Sequence, residues 1–308
     1  MSRQIWFDLG KIVPKSTKTA AEVMQKTNLS WVVEPRKIQV VGGSIIPNKV
    51  AITRKDTNIV LGVVNSTYKC IQNSQVFSFL DEPIKQGLAS YYAAGYVGQG
   101  EKIWLLVKLH DEIQLSKNDT IQKLIMFSNA HDGRGAIRAY FIPFRTRTQT
   151  LLNISFGKRV EQGIQMRHVG KVQQRISEAN KIFELAEHFY DIFESQVDKI
   201  YNANFDQQKI ELFLSNCFEK YSLDSTRTQN TLKKIHQLYE KEIKMFSVSA
   251  NSAWSWLNSV VNFIDYERMS KGKNRFDQIS NHLESLFWGS GLLLKQKAWN
   301  AVSTLIKI

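Results

Sequence analysis

Between Glu101 and Arg145 the chain reads EKIWLLVKLHDEIQLSKNDTIQKLIMFSNAHDGRGAIRAYFIPFR. Three runs stand out in it: EKIWLLVKLH, TIQKLIMFSN and AIRAYFIPF. Each is rich in β-branched and aromatic residues, the composition that suits a pleated, half-buried surface. The links SKND and HDGRG separate them and GQG precedes the first, all polar and turn-prone, with Asp132-Gly133 a hairpin signal. Short connections between such runs predict neighbouring antiparallel strands, so this stretch sets the sheet.

Upstream the pattern alternates between strand and helix. TKTAAEVMQKTNL predicts a short helix with Thr19 as N-cap and Glu22 three residues on, the capping-box spacing. RKIQVV predicts a strand, and KVAIT and NIVLGVV flank RKDTN as a hairpin. NSQVFSFLDEPIKQG reads as a short amphipathic helix closed near Gly87. AGYVGQGEK lacks the Lys-Ser/Thr ending of a phosphate-binding loop and precedes a strand, so it reads as a turn.

Downstream, from about Gln165, the period changes to three and four. Ile176, Ala179, Ile182, Phe183, Ala186, Phe189, Tyr190, Phe193, Val197 and Ile200 form one apolar stripe on a long helix, which is expected to run from Glu178 to Lys220 and leans acidic. Leu232, Ile235, Leu238 and Tyr239 start a second helix, and Trp254, Leu257, Val261 and Ile264 a third. The fold expected is therefore α+β. An antiparallel, hairpin-rich basic sheet domain with short helices spans residues 1–165, and a mainly helical region packs on or beside it over 166–308.

At 43% hydrophobic residues the chain reads as an ordinary globular protein. Cys70 and Cys217 are far apart and lack metal-ligand spacing, which predicts reduced thiols in the cytosol. The longest apolar run, LFWGSGLLL, is broken by glycines and far short of the ~20 residues that cross a bilayer. MSRQIWFDLG has no extended apolar core, so no secretory signal is expected.

A net charge of +13 attracts polyanions. From Arg134 to Arg175 nine cations stand against the single carboxylate of Glu161: Arg134, Arg138, Arg145, Arg147, Lys158, Arg159, Arg167, Lys171 and Arg175. Strand alternation places Ile137, Ala139 and Phe141 on one face and Arg138 and Tyr140 on the other, with Pro143 marking an edge or bulge. Arginine forks suit phosphates, and Tyr140, Trp104 or Phe144 would stack on unpaired bases. For any single arginine a solvated strand face with cation–π contacts is the simpler reading; the cluster as a whole makes the nucleic-acid case.

No catalytic constellation is defensible. His131 and Asp132 are explained by a turn, and no Ser-His-Asp or Cys-His arrangement or metal-ligand set can be drawn. Trp254, Trp256, Trp288 and Trp299 read as core or an oligomer contact rather than a cofactor site.

Five blocks carry a resemblance: LGVVNSTYKCIQN, AAGYVGQGEKIWLLVKL, SNAHDGRGAIRAYFIPFR, MRHVGKVQQRISEANKIF and AWSWLNSVVNFIDYERMSKGKNR. In this order they resemble a large family of phage- and plasmid-related proteins catalogued as a domain of unknown function, number nine-three-two. The likeness runs from roughly Trp31 to Trp299. The family usually passes from the arginine matching Arg145 through two valines and a cysteine into Asn-Thr-Leu; here Thr148 stands for the cysteine and Thr150 for the asparagine. Its Arg-His-Thr is Arg167-His168-Val169 in this chain. The resemblance implies a mobile-element protein of bacterial or phage-infected cytoplasm. In outline a basic hairpin sheet backed by a helix is also similar to phage single-strand annealing proteins, which work as rings or filaments without ATP or metal.

The function expected is non-enzymatic binding of single-stranded DNA or another nucleic acid, with strand annealing as its extension, in phage or plasmid replication or recombination. A homo-oligomer is expected, with no cofactor, no metal and no membrane. Two alternatives stand beside it. One is a metal-dependent nuclease or hydrolase using Asp111, Glu112, Asp119, Asp132 or His131; the other is a scaffolding protein that assembles through its C-terminal helices.

Overall fold

The computed structural model describes residues 9–133, 137–155, 164–166, 172–218, 225–246 and 251–308. Its main sheet is built on the three runs quoted above, which become β6 (Lys102–Ser116), β7 (Asp119–Ala130) and β8 (Ile137–Arg145). These pair antiparallel, with Leu106 opposite Met126 and Met126 opposite Tyr140. Outside them lie β5 (Ala89–Val97) and β1 (Gly10–Ile12) on one edge, and β10 (Ile164–Met166) and β9 (Thr150–Leu151) against β8. The seven strands curl into a half-barrel. A second sheet joins β2 (Val33–Gln39), β3 (Ile45–Arg54) and β4 (Val60–Asn65), the hairpin expected around RKDTN.

β5 is a strand that the sequence reading missed: the turn expected at GQG forms, but the AGYV before it is the end of β5. Alanine and glycine are poor strand formers alone, but here their small size is what the packing needs. A Cβ on Gly95 would stand 2.1 Å from the Leu9 carbonyl oxygen, 2.4 Å from the Trp104 ring and 2.7 Å from the Gly10 Cα. Backbone cannot yield as a side-chain tip can. Gly95→Ala is therefore expected to cost about 2–3 kcal/mol by overpacking, read as a lower urea midpoint at unchanged slope.

The helices follow the predicted stripes. α1 (Ala20–Lys26) starts at Thr19, whose hydroxyl accepts the Glu22 N–H at 3.2 Å, while the Glu22 carboxylate accepts from the Lys18 N–H. The apolar run before Gly87 breaks into α2 (Asn73–Val76), a 3₁₀ turn (Ser78–Leu80) and α3 (Asp81–Lys85). α4 (Val172–Asn202) buries Ala179, Ile182, Phe183, Ala186, Tyr190, Phe193, Val197 and Ile200, eight of the ten stripe positions named. The acidic stretch does not continue as one helix to Lys220. It stops at Asn202, and α5 (Gln207–Phe218) begins afresh where the Asp206 carboxylate accepts the Lys209 N–H at 2.8 Å. α6 (Thr226–Phe246), α7 (Ala253–Asn262) with a π turn (Phe263–Glu267), α8 (Arg275–Trp288) and α9 (Ser290–Ile306) complete the helical half.

Both faces of the main sheet are covered. Residues directly opposite in a ladder share a face, so Trp104, Met126, Ser128, Arg138 and Tyr140 lie on one side. α8 closes that side, with Phe287 edge-on to Trp104 at 5.7 Å between centroids. On the other side Phe189 of α4 packs on Phe141 at 5.1 Å, and the Tyr190 hydroxyl donates to the Leu124 carbonyl at 2.7 Å. One buried apolar cluster runs from Leu9 through the sheet to Val302. No helix among the described residues is long and apolar enough to cross a membrane.

Candidate functional site

The covering of both sheet faces reorders the proposed contact residues. Trp104 is fully buried, Phe144 is 3% exposed and Tyr140 9%. The predicted outward face of β8 therefore does not offer these rings to a base, because α8 lies over it. Tyr140 hydrogen-bonds Arg138, Ser128 and Trp288; burial raises its phenol above the usual range, with Arg138 pulling the other way.

Arg145 is the largest correction. It sits at the end of β8 with no exposure, and its guanidinium takes Asp119 bidentately, Nε to Oδ1 at 2.6 Å and Nη2 to Oδ2 at 2.5 Å. Nη1 meets the Glu242 carboxylate of α6. The indole N–H of Trp254 also donates to Asp119 at 3.1 Å, and the rings of Phe246 and Trp254 lie 3.9 and 5.4 Å from the guanidinium carbon. Burial alone would lower the affinity of Arg145 for its proton, but Glu242 and Asp119 outweigh it and hold it above the ordinary value. Burial pushes the Glu242 carboxyl up against the pull of Arg145. This arginine is a structural cation, already neutralised, and is withdrawn from the phosphate contacts.

A second buried ion pair lies close along the chain. Lys295 of α9 and Asp265 of the π turn are both without exposure and paired. Lys295 also donates to the Leu151 carbonyl at 2.9 Å and to Asn153 Oδ1 at 3.2 Å, while Asp265 Oδ2 accepts the Leu151 N–H at 3.0 Å. Burial lowers the Lys295 ammonium and raises the Asp265 carboxyl, each against the other's charge. The two centres bracket residues 145–153 and bolt the end of the sheet to α6, α7 and α9. The sequence reading missed Glu242, Asp265 and Lys295 as interior charges. The legible hint was a charge flanked by apolar residues at helical spacing, as in NFIDYE and LLLKQKAW.

Between those centres, Arg147 is exposed and its guanidinium lies 5.4 Å from the Phe246 ring. With Thr148, Gln149, Lys241, Glu242 and Glu267 it lines an open pocket of about 360 Å³. Thr148, at the family's cysteine position, bonds Thr150 through its hydroxyl at 2.8 Å. Arg138 is half-buried at the opposite end of β8. Arg134, Lys158, Arg159, Arg167 and Lys171 lie outside the described residues, as does His168; Arg175 falls in the first turn of α4, its side chain outside them. Trp254, Trp256 and Trp299 are core residues at 0, 3 and 2% exposure, which removes them as an oligomer contact, and Trp288 is half-buried.

The residues of the hydrolase alternative are dispersed. Asp119 is taken by Arg145, Asp111 pairs with Lys123 and Glu112 with Lys108. His131 Nε2 meets Asn73 Oδ1 at 2.8 Å and packs edge-on to Trp31 at 5.5 Å. Asp132 lies in the expected turn, pressed onto the second sheet so closely that a Cβ on Gly62 would fall 2.6 Å from its Cα. Among the described residues no three His, Cys, Asp or Glu side chains converge as metal ligands. Neither Cys70 nor Cys217 is joined in a disulfide.

With fold and charges in place the comparisons can be stated. An antiparallel half-barrel sandwiched between helices and fastened to them by buried ion pairs defines an α+β protein. The model of the family described as Domain of unknown function (DUF932) matches residues 60–287, and the chain belongs to that family. No curated protein and no solved structure matches it.

Proposed function

We propose that the chain is a non-enzymatic nucleic-acid-binding protein that holds single strands by their phosphates at the β8–β10 end of the sheet, in the replication or recombination of a mobile element in bacterial cytoplasm. The observation that carries this reading is a register. Ile137 of β8 stands opposite Met166 of β10, and Arg138 opposite Gln165. In the sequence Arg134 precedes Ile137 by three residues and Arg167 follows Met166 directly, both outside the described residues. Lys171 comes four residues later, just ahead of α4. What supports the reading is that four of the predicted cations, Arg134, Arg138, Arg167 and Lys171, adjoin this one paired segment in the sequence, although up to 37 residues separate them along the chain.

Because Trp104, Tyr140 and Phe144 are covered, the contact relies on charge rather than base stacking. Four phosphate contacts give a slope of log affinity on log salt near about −2.8 for single strands. Fluorescence polarisation of labelled oligonucleotides across a salt series is expected to return that slope with little base preference. Arg138→Glu should make it shallower by about 0.7 and weaken binding at every salt, because it removes one counterion-releasing contact. Arg147→Glu, at the far end of β8, should leave the slope alone. A flat salt response, or no binding at low salt, would sink the reading.

A further inference from the structure

We infer that the β2–β3 hairpin is an assembly arm that docks on the acidic face of α4 in a second copy of this chain. β4 pairs with β3 only from Lys49 to Thr53, so β2 and β3 continue beyond it as a two-stranded ribbon turning at Gly42 (φ +70°) and Gly43. From Gln39 to Lys49 every residue is exposed. Four are aliphatic, with Val41 at 102%, Val40 at 55%, Ile45 at 53% and Ile46 at 37% exposure. A free two-stranded ribbon is marginal in water, and a cluster of exposed aliphatic side chains at its tip marks a surface meant to be covered. Arg36, Lys37 and Lys49 flank that tip, against Glu34 alone.

The complement lies on the same molecule, out of the arm's own context. Glu184, Glu187, Asp191 and Asp198 are exposed on α4, and at 100° per residue they fall within one stripe about 60° wide, bordered on one side by Ser195, His188 and the exposed Lys181 and Lys199. Beyond that border Leu185 is 48% exposed. The stripe runs for about 21 Å, and the ribbon beyond Lys37 reaches roughly 15 Å, so one can lie along the other. In a chain of net charge +13 such an acidic face is the surface that opposes self-repulsion. The tip carries no aromatic ring to stack on a base or to anchor at a lipid headgroup, which favours a protein partner over either. Arm and face are different surfaces, so the contact is heterologous and propagates head to tail into a ring or filament.

The test is light scattering with sedimentation velocity on the full chain at low salt and tens of micromolar protein. The wild-type chain is expected to assemble, and Val41→Asp with Ile45→Asp to leave it monomeric. Lys37→Glu with Lys49→Glu, or Glu187→Lys with Asp191→Lys, should each give monomers. All four charge reversals in one chain should assemble again, which separates a lost contact from a lost fold. Mixing the two charge-reversed pairs should restore assembly as an alternating species, since the arm of each variant then meets an oppositely charged face on the other. A monomeric wild-type chain, a quadruple variant that stays monomeric, or arm variants of unchanged mass would each overturn the inference. So would arm variants that lose only oligonucleotide or phosphatidylserine-vesicle binding. Apart from a loss of oligonucleotide binding by the arm variants, none of these outcomes bears on the phosphate contacts at the β8–β10 end.

Discussion

Arg145→Leu is expected to cost about 3–5 kcal/mol of folding stability, because it strips the partner from two buried carboxylates at once. Asp119 has no exposure and Glu242 only 5%, so neither can turn to water when the guanidinium goes. The loss should appear as a fall in the urea midpoint or as failure to accumulate folded protein, while any folded fraction keeps its salt slope for oligonucleotides. Arg145→Lys should recover little, since an ammonium cannot reproduce the bidentate fork on Asp119 and the reach to Glu242. Combining Arg145→Met with Asp119→Asn and Glu242→Gln removes all three charges, and is expected to restore most of the stability lost in Arg145→Leu. Glu242→Gln alone carries a pH signature. Its carboxyl is raised in the fold, so it contributes stability that is full below the ordinary glutamate value of 4.5 and is lost as pH rises through the folded value. The variant should flatten the stability curve across that window. A midpoint unchanged in Arg145→Leu would show that the cluster does not hold the sheet to α6.

That outcome also explains why a strand legible in the sequence misled about its site. The three central strands, their turns and the α4 stripe were all readable because hydrophobic period and turn chemistry are local. Arg145 looked like one more cation in a basic run, since its partners lie 26 and 97 residues away and no local pattern joins them. Tyr140 and Trp104 failed for another reason. Alternation predicts which side of a strand a residue takes, but not that α8, more than a hundred residues on, covers that side. The near-continuous burial of β8, with only Arg138 and Phe141 half-open, is the mark of a strand buried on both faces. AIRAYFIPF carries that mark as a nearly unbroken apolar run, and reading it as one-sided put Tyr140 on a covered face where only Arg138, at the end of the strand, is half-open. β5 was missed through its alanines and glycines, whose value shows only once Trp104 and β1 are packed against them.

Lys295→Met is the companion experiment, with an expected cost of about 3–5 kcal/mol through an unpaired, fully buried Asp265. The two changes differ in what they leave behind. Asp265 still accepts the Leu151 N–H, so Asp265→Asn keeps that bond where Asp265→Leu would strand a backbone donor. Lys295→Met joined to Asp265→Asn should therefore be far milder than Lys295→Met alone, and Lys295→Met joined to Asp265→Leu should not. The pH dependence follows from burial of both charges. The Asp265 carboxyl is raised, so its contribution is full below 3.8 and fades as pH rises through the folded value. The Lys295 ammonium is lowered, so its contribution is full above 10.5 and fades as pH falls through the folded value. Between those windows the fold holds two desolvated charges, offset by their mutual attraction and by their hydrogen bonds to Leu151 and Asn153. Replacing them with the neutral Met and Asn pair should flatten both limbs of the stability curve, measured by urea unfolding from acid to alkaline pH. Since Leu151 and Asn153 directly follow the turn that carries Arg147, loosening this pair should also raise amide exchange from Thr146 to Asn153 before the sheet itself opens, whereas Arg145→Leu should release the end of β8 and α6 together.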